Sequence, residues 1–460
     1  MVLAKILNSR SDTPSISNAA VVEEQPARKF LITQAYSTYN KGEAAIAIGI
    51  IETIKHFFPD SEIAILSPMP NEDSRHYSKH DVRNYERLLN TVGQRRKGIG
   101  GVRAFGAILL KAVIYMIHAK THNRLPLRGK TKLALDIFRQ ADVVIIGGGG
   151  MFGGNKLRSI AGNLFPIILA KQFGKKVIVN APSVEPFTSS IVRVATKFAF
   201  NKADIITVRE HYSFSLLRSL GVKKPIYLTA DPAFLAGHES LEKGAELLLA
   251  AGVPRHRNGK LRIGMTIRDF RFPGQTDAEI KCRNYLGAIS SAIERILSET
   301  DVEIVLFATA INTAFNDDDR ITSNQIRNSI SENLKSRVCV LTQNYTPEEI
   351  KAMIGNMDIF VATRTHSAIF AYTMNIPVLN IACETHKNHG IMEMMDLGDY
   401  ILDASAISTE KLVRAILRLI EERNFIAERI SERLPIVKNM SLENGKYLLT
   451  LVNGAVVTKS

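Results

Sequence analysis

An arginine and a histidine stand one residue apart between two apolar segments, in the stretch MDIFVATRTHSAIFAYTMNIPVLNI over residues 357–381. DIFVAT predicts a buried strand, and the residues from His366 onward predict a helix. A helix N-terminus offers free N–H groups and a positive dipole end, so it suits an anion. Arg364 adds a guanidinium fork that fits phosphate or carboxylate, and His366 can move protons near neutral pH. The turn that contains Arg364, Thr365, His366 and Ser367 therefore predicts an anion site with proton transfer.

Two further cations follow predicted strands. Arg268 ends the strand KLRIGMTIRDF, and Lys387 follows the strand IPVLNIA. Both should face the same cleft if these strands are parallel neighbours, so both are predicted anion contacts. The alternatives are a surface position for Arg268 and a structural arginine–aspartate ion pair for Arg364. His386 and His389 lie near Lys387 without a defined metal-ligand geometry, and we expect no metal site.

Charged residues also end two strands of the first half of the chain. Arg209 follows ADIITV, and Asp231 follows PIYLTA. A structural ion pair is the favoured interpretation for Arg209. Asp231 is predicted to accept hydrogen bonds from backbone amides of its own loop, and orienting a substrate hydroxyl is the alternative role.

Glycines and a polar turn mark a second side of the predicted cleft. Four consecutive glycines follow the buried strand ADVVII, and glycine there lets a ligand approach the backbone closely. The turn STYNKGE follows the first strand, and NAPSVEPF follows a later one. Tight turns and helix capping are the alternative interpretations. The predicted contacts to a second substrate are Asn40, Gly42, Gly148, Gly149, Gly150 and Glu185.

Strands and helices alternate twice along the 460 residues, which predicts an α/β fold. The length exceeds that of one ordinary core, so we expect two Rossmann-like, doubly wound domains that face a central cleft. The polar segment after residue 240 predicts the boundary. The expected parts are a flexible tail over 1–28, an N-terminal domain over 29–240 and a C-terminal domain over 241–460. TPEEIKAMIGN predicts a helix capped by Thr346 with Glu349 at its third position.

The positive charge is concentrated in one insert, over residues 75–135. It has 14 Lys and Arg against two Asp and Glu, whereas the whole chain has a net charge of +14. Within it, GGVRAFGAILLKAVIYMIHAK is apolar and has basic flanks, which suits an anionic membrane surface. Lys111 interrupts this run, and the uninterrupted apolar piece is too short to span a bilayer. The alternatives are a helix buried at a domain interface and a nucleic-acid contact. We predict membrane contact through 95–130 and no nucleic-acid partner.

Cysteine usage indicates the compartment. The three cysteines, Cys282, Cys339 and Cys383, lie far apart and form no CxxC or Cys/His pattern. They argue against a disulfide framework and fit a reducing environment. The N-terminus has no apolar stretch long enough for a signal peptide. We therefore expect a cytoplasmic protein, peripheral at the inner face of the membrane.

Several segments, in this order, resemble the polysaccharide pyruvyl transferase family over about residues 30–405. They are YNKGEAA, ADVVIIGGGGMFGG, VREHYSFSLLRSLGV, DPAF, TRTHSAIFAYTMNIPVLNI, and the Lys-x-x-Gly of 387–390 followed by LGDYILD. The chain departs from the family at NAPSVEPF, where a GQ-type strand end is common, and at Glu43, where aspartate is usual.

The resemblance implies a GT-B-like fold and transfer of a pyruvyl unit from phosphoenolpyruvate to sugar hydroxyls, which forms a cyclic ketal. Phosphoenolpyruvate would be a co-substrate, and no cofactor is implied. The family's Arg-x-His motif falls on Arg364, Thr365 and His366, and a donor-binding arginine falls on Arg268. His366 would then act as general acid, and the acceptor would be a polysaccharide or its lipid-linked precursor.

Two other functions fit the same pattern of elements. A nucleotide-sugar glycosyltransferase would hold a nucleoside diphosphate in the same cleft. A non-catalytic, membrane-associated scaffold of polysaccharide assembly would hold no small ligand there. The response of the protein to phosphoenolpyruvate, and to UDP and GDP sugars, separates the three.

Overall fold

Two parallel sheets, one in each half of the chain, dominate the computed structural model. It describes residues 27–35, 37–89, 99–121, 127–152, 157–187, 189–255, 259–313, 317–383 and 385–454. The predicted tail lies outside the described residues except for 27 and 28. The insert over 75–135 is described in part.

The N-terminal domain has a seven-stranded parallel sheet of order β3-β2-β1-β4-β6-β8-β9, with a separate pair β5-β7. Its strands are β1 (Lys29–Thr33), β2 (Glu62–Ser67), β3 (Val82–Glu86), β4 (Val143–Ile146), β5 (Gly149–Phe152), β6 (Lys176–Val179), β7 (Pro182–Val184), β8 (Ile205–Val208) and β9 (Ile226–Leu228). Its helices are α1 (Lys41–Phe57), α2 (Pro70–Tyr77), α3 (Ile99–Lys120), α4 (Gly129–Gln140), α5 (Leu157–Gln172), α6 (Ser190–Phe200) and α7 (His211–Ser219).

The C-terminal domain has a six-stranded parallel sheet of order β14-β11-β10-β15-β16-β17, with a small antiparallel pair β12-β13. Its strands are β10 (Leu261–Thr266), β11 (Val302–Phe307), β12 (Ile311–Asn312), β13 (Asp317–Asp318), β14 (Val338–Val340), β15 (Ile359–Ala362), β16 (Val378–Ala382) and β17 (Ile401–Asp403). Its helices are α8 (Leu241–Ala250), α9 (Ala278–Glu299), α10 (Asp319–Ser329), α11 (Pro347–Ile354), α12 (Thr365–Thr373), α13 (Thr385–Met394), α14 (Thr409–Glu421) and α15 (Arg423–Asn453). The predicted α/β architecture is confirmed.

The helices cover both faces of the N-terminal sheet. Helices α3, α4, α5 and α6 share one apolar cluster with sheet residues such as Val144 and Val177. Helix α1 lies in a second cluster, which continues into the C-terminal domain. Strands covered on both faces must be apolar throughout, and β4 accordingly reads VVII, with all four residues buried.

Backbone hydrogen bonds join the two domains beside the ends of β1 and β11. Lys41 N–H donates to the carbonyl of Thr309, and Ile311 N–H donates to the carbonyl of Tyr39, both at 2.9 Å. The predicted boundary falls at the start of α8, which packs against α11 of the second half. Helix α15 nonetheless returns to the first domain, where Asn444 Nδ2 donates to the carbonyl of Ala230 at 3.2 Å.

A titratable ion network also crosses the domain interface. His80 Nε2 lies 3.1 Å from Glu348 Oε1, and its Nδ1 lies 3.2 Å from Glu52 Oε1. Hydrogen bonds to Glu348 and Glu52 raise the pKa of His80 to about 9. Burial alone would raise the pKa of Glu348, but His80 and Lys79 offset it and lower that pKa to about 2. Protonated His80 therefore stabilises the contact between the domains.

Glu348→Gln should destabilise the protein in a pH-dependent way, because His80 loses one of its two charged partners. The folded pKa of His80 lies above its ordinary 6.5, so its contribution is complete below that pH and is lost as pH rises through about 9. Leaving a buried polar partner poorly satisfied costs roughly 1–3 kcal/mol. The gap in thermal midpoint between wild type and variant should be widest near about pH 6 and narrow by about pH 9.5.

The matched control for this substitution is Glu62→Gln, which removes the same charge from an exposed pair with Lys29. Exposed pairs contribute little, so this variant should follow the wild type at each pH. If the difference in thermal midpoint between wild type and Glu348→Gln stays constant over the same pH range, that result would contradict the role given to His80.

Candidate active site

The carboxyl ends of strands from both sheets meet around a polar cavity of about 260 Å³. Such an edge is where open parallel sheets bind ligands. Nine of the predicted site residues line it: Asn40, Gly42, Gly150, Glu185, Arg268, Arg364, Thr365, His366 and Lys387. Four lining residues were not predicted as site residues: Glu43, Arg209, Thr309 and Asp317.

His366 lies in the first turn of α12, directly after β15. Arg364 is the N-cap residue and provides no side-chain cap to the helix. The imidazole lies against Gly42 of the other domain, where any Cβ would collide with the ring. Glycine at position 42 therefore makes room for the histidine, and the two domains share the site.

A buried carboxylate stands behind the imidazole. His366 Nε2 lies 3.5 Å from Asp231 Oδ2 and 3.4 Å from Arg209 Nη1. Nε2 can accept from Arg209 in the neutral ring and face Asp231 as N–H in the imidazolium. When Nε2 accepts from Arg209, or when the ring is an imidazolium, Nδ1 carries a hydrogen on the side of Gly42, which lines the cavity. This arrangement orients the ring.

An ion pair with Arg209 holds the Asp231 carboxylate in place. Both side chains are buried, and Arg209 Nη1 donates to Asp231 Oδ2. Asp231 Oδ1 accepts from Ala233 N–H at 2.9 Å. Burial alone would raise the pKa of Asp231, but Arg209 and His366 offset it and hold that pKa well below its usual range. The predicted ion pair and the predicted backbone hydrogen bond are both confirmed.

Arg364 is held by two carboxylates from the segment that starts α10. Its Nε lies 3.0 Å from both Asp319 oxygens, and its Nη2 lies 2.5 Å from Asp317 Oδ1 and 2.6 Å from Asp319 Oδ1. The arginine–aspartate pair left open as an alternative is therefore present. Phosphate binding by Arg364 stays a prediction, and the phosphate would have to displace one of these carboxylates from the guanidinium. Asp317 lines the cavity and is the more exposed of the two.

Lys387 and Glu185 form an ion pair across the cavity between the two domains. Lys387 Nζ donates to Glu185 Oε1 at 2.8 Å. The lysine side chain is largely buried, and its end lies against Gly150, where a Cβ would meet Nζ. A predicted donor contact and a predicted acceptor contact are thus neighbours, so an entering anion can compete with Glu185 for the ammonium group.

Arg268 supplies a further positive charge at the end of β10. Its guanidinium lines the cavity and lies 5.5 Å from the centroid of the Phe270 ring. Its backbone N–H donates to Thr363 Oγ1 at 3.0 Å, which ties β10 to the end of β15. The position is therefore fixed beside the turn that carries His366, and the alternative of a surface position does not describe it.

Glu43 is a carboxylate that the sequence prediction left outside the site. It lies in the first turn of α1, where Asn40 Oδ1 accepts its backbone N–H at 3.3 Å. Its carboxylate lies against Gly149, whose φ of +105° favours glycine and where a Cβ would collide with the carboxylate oxygens. Burial raises the pKa of Glu43, with His366 and Lys387 acting in the opposite direction. A carboxyl group with a raised pKa beside an imidazole suits proton transfer.

Three predicted contacts do not line the cavity. Ser367 is fully buried, and its hydroxyl donates to the carbonyl of Arg364 and shares a hydrogen bond with Thr266. A Cβ at Gly148 would meet the carbonyls of Asn180 and Ala181. Gly149 supports Glu43 instead of lining the cavity itself. Packing occupies both the Ser367 and the Gly148 positions, and their contact with substrate stays a prediction.

The architecture is a GT-B-like fold with two Rossmann-like domains. UDP-GlcNAc 2-epimerase from Methanocaldococcus jannaschii superposes with a TM-score of 0.57 at 14% identity, over 92% of this chain and 99% of that one. The S. aureus MnaA–UDP co-structure gives 0.58 at 13% identity, over 94% and 99%. A glycosyltransferase from Rickettsia africae gives 0.55 at 11%, over 93% and 99%. At these identities the similarity concerns the fold alone.

Sequence comparison defines the family. The sequence model of the polysaccharide pyruvyl transferase family matches residues 40–385. The chain is also 22% identical over 414 residues to the amylovoran biosynthesis protein AmsJ of Erwinia amylovora, covering 88% of this chain and 94% of AmsJ. The chain belongs to the polysaccharide pyruvyl transferase family and is a transferase of polysaccharide biosynthesis. The resemblance seen in the sequence motifs is confirmed.

Proposed function

We propose that the protein transfers a pyruvyl group from phosphoenolpyruvate to two hydroxyls of a saccharide and so forms a pyruvate ketal. The observation that carries this proposal is His366, backed by Asp231, in a cavity that also contains Arg268 and Lys387. A substrate with both a phosphate and a carboxylate needs several cations. An enol substrate also needs a proton donor for its carbon.

Arg268, Lys387 and the first turn of α12 would bind the donor. The N–H groups of Thr365 and His366 belong to that turn, whose N-cap side chain satisfies none of them. Arg268 would take the carboxylate, and Lys387 would exchange Glu185 for a phosphate oxygen. Arg364 would join them if the phosphate displaces Asp317, and otherwise it fixes the turn through Asp319. Fixed cations of this kind stabilise the charge of leaving phosphate.

The proton transfers balance with two acid–base groups. His366 Nδ1–H protonates the methylene carbon, which becomes the methyl group and leaves an oxocarbenium-like centre at C2. One sugar hydroxyl attacks C2, and Glu43 accepts its proton. The bond from C2 to the phosphate oxygen then breaks, with its electrons leaving on phosphate, and a second hydroxyl closes the ketal. Of the two hydroxyl protons released, one restores His366 and the other leaves with phosphate.

The N-terminal domain would bind the saccharide. Asn40, Gly42, Gly150 and Glu185 line its side of the cavity, opposite the donor groups. Asn and Glu side chains suit sugar hydroxyls, and the glycines leave room for a ring close to the backbone. Glu43 lies among these residues and can receive a hydroxyl proton there.

We further propose that the acceptor is lipid-linked and that the enzyme works at the inner face of the cytoplasmic membrane. The basic insert supports this, since α3 falls within residues 95–130 and exposes apolar side chains toward solvent. Helix α3 packs against α5 of its own domain, so the alternative of burial at a domain interface does not describe it.

Release of inorganic phosphate tests the reaction. The protein, phosphoenolpyruvate and a candidate saccharide should release phosphate and yield an acid-labile product heavier by one pyruvyl ketal. Phosphoenolpyruvate should raise the thermal midpoint, whereas UDP and GDP sugars should not. A shift with nucleotide sugars alone would support the glycosyltransferase instead, and no shift with any of them would support a scaffold.

A further inference from the structure

We infer that α6 and α3 together form one surface that docks this enzyme on an anionic membrane, with α6, which lies outside the basic insert, as a second anchor. The acceptor class that such docking would serve rests on the proposed function. The docking itself does not, since it depends only on the shape and charge of the N-terminal domain.

Helix α6 has an apolar stripe that nothing in the described chain covers. Val192 and Phe200 face the sheet and are buried. Ile191, Val194 and Phe198 are 66%, 67% and 57% exposed. Their spacing of three and then four residues places them on one side of the helix. Isolated exposed apolar residues are ordinary on a protein surface, whereas a stripe of this kind on one helix marks a binding face.

Helix α3 has a second such stripe in the same layer. Leu110 and Val113 are 62% and 53% exposed, and Leu109 and Ile117 are close to half exposed. Both α3 and α6 pack on α5, and α3 does so partly through Tyr115 beside Phe165. All three helices belong to the apolar cluster on one face of the N-terminal sheet. The two stripes therefore lie on the outer side of one helical layer.

The charges of this helical layer indicate which partner binds the two apolar stripes. The sequences of α3, α5 and α6 contain no Asp or Glu. Arg193 and Lys197 of α6 are exposed beside the apolar stripe of that helix. Lys111 and Lys120 of α3 are exposed beside the stripe of α3. Lys202 Nζ also lies 5.5 Å from the centroid of the Phe198 ring. A second copy of the chain would bring like charges together. An anionic bilayer instead offers phosphate groups to the lysines and an acyl boundary to the apolar stripes.

The docking is peripheral. No helix among the described residues is long and apolar enough to cross a bilayer. Stripes on two helices can lie parallel to the surface, with their apolar side chains below the headgroups. Two anchors at separate places on one rigid layer would also fix the orientation of the domain on the membrane, which a single helix would not.

Co-sedimentation with vesicles tests the inference on the full chain. Wild type should bind vesicles containing phosphatidylglycerol, bind phosphatidylcholine vesicles weakly, and lose binding as salt rises toward about 0.5 M. Val194→Glu with Phe198→Glu on α6, and Leu110→Glu with Val113→Glu on α3, should each lower partitioning at least about tenfold. The matched control is Ile280→Glu, equally exposed on α9 of the other domain, which should bind like wild type.

The outcomes separate the possible occupants. An α6 variant that binds anionic vesicles like wild type would overturn the inference, as would equal binding of wild type to neutral vesicles. The third outcome is a wild-type protein that does not bind vesicles but forms a dimer in sedimentation velocity. If the α6 variant abolishes that dimer, the two stripes bind a second copy of the chain instead of a membrane. Phosphate release with a water-soluble acceptor should be unchanged in all these variants. If wild type binds vesicles but releases no phosphate, only the proposed chemistry fails.

Discussion

His366→Ala should reduce kcat about a thousandfold and leave the affinity for phosphoenolpyruvate within a few fold of wild type. The donor would still meet Arg268, Lys387 and the first turn of α12, so its binding groups remain. The methylene carbon would lose its proton donor, and general acid catalysis contributes about 10²–10⁴ in rate. Phosphate release measures the first effect, and the thermal shift with phosphoenolpyruvate measures the second.

A suitable control is His389→Ala, which removes an imidazole from a half-exposed pair with Asp403. It should keep both the turnover and the thermal shift. His366 occupies the space beside Gly42, so the alanine variant also needs a folded-state check by thermal midpoint without ligand. Near-normal turnover of a folded His366→Ala protein would reject the acid role. Loss of the ligand shift together with turnover would mean that the ring binds the donor instead.

The fold could be predicted because its local signals agree with one another. Fully apolar runs such as VVII over 143–146 require cover on both faces, and the helices that follow them supply it. The capping box predicted at Thr346 and Glu349 is confirmed. These signals lie within a few residues of each other, so a sequence displays them directly.

The partners of the site residues could not be predicted in the same way. Asp231 and His366 are 135 positions apart, and they meet only because the two sheets face each other. Asp317 and Asp319 pair with Arg364 from more than 40 residues away. A charged residue at a strand end thus predicted the location of the cleft. Whether that charge is already paired depends on residues far away in the chain, and no local sequence signal points to them.

Side-chain direction explains why Ser367 and Gly148 do not line the cavity. Ser367 follows His366 in the chain, but a helical turn points consecutive side chains about 100° apart, so His366 faces the cavity while Ser367 faces Thr266. Gly148 precedes β5 and Gly150 lies within it, and of these two glycines Gly150 lines the cavity. Glu43 stands where aspartate is usual in the family. The sequence indicated helix capping there, which the backbone does show, and the raised pKa required knowledge of burial.

Glu43→Gln should lower kcat by about 10²–10³ with donor binding intact, because the attacking hydroxyl would lose its proton acceptor. Gln has the same shape, so the contact with Gly149 and the start of α1 should persist. Burial raises the pKa of Glu43, and a base must be deprotonated to work. Wild-type kcat should therefore fall on the acidic side as pH drops through that raised pKa. The glutamine variant should lack this acidic limb, since amides do not titrate.

The pH profile distinguishes a base from a merely structural carboxylate. A structural Glu43 would change the thermal midpoint or the donor affinity and leave the shape of the profile untouched. Glu62→Gln, an exposed change of the same chemistry in the same domain, should preserve kcat and the acidic limb. If Glu43→Gln keeps the acidic fall in kcat, a titratable group other than Glu43 causes that fall. Because Glu43 lies on the N-terminal domain, loss of the limb would also mean that this domain accepts the hydroxyl proton.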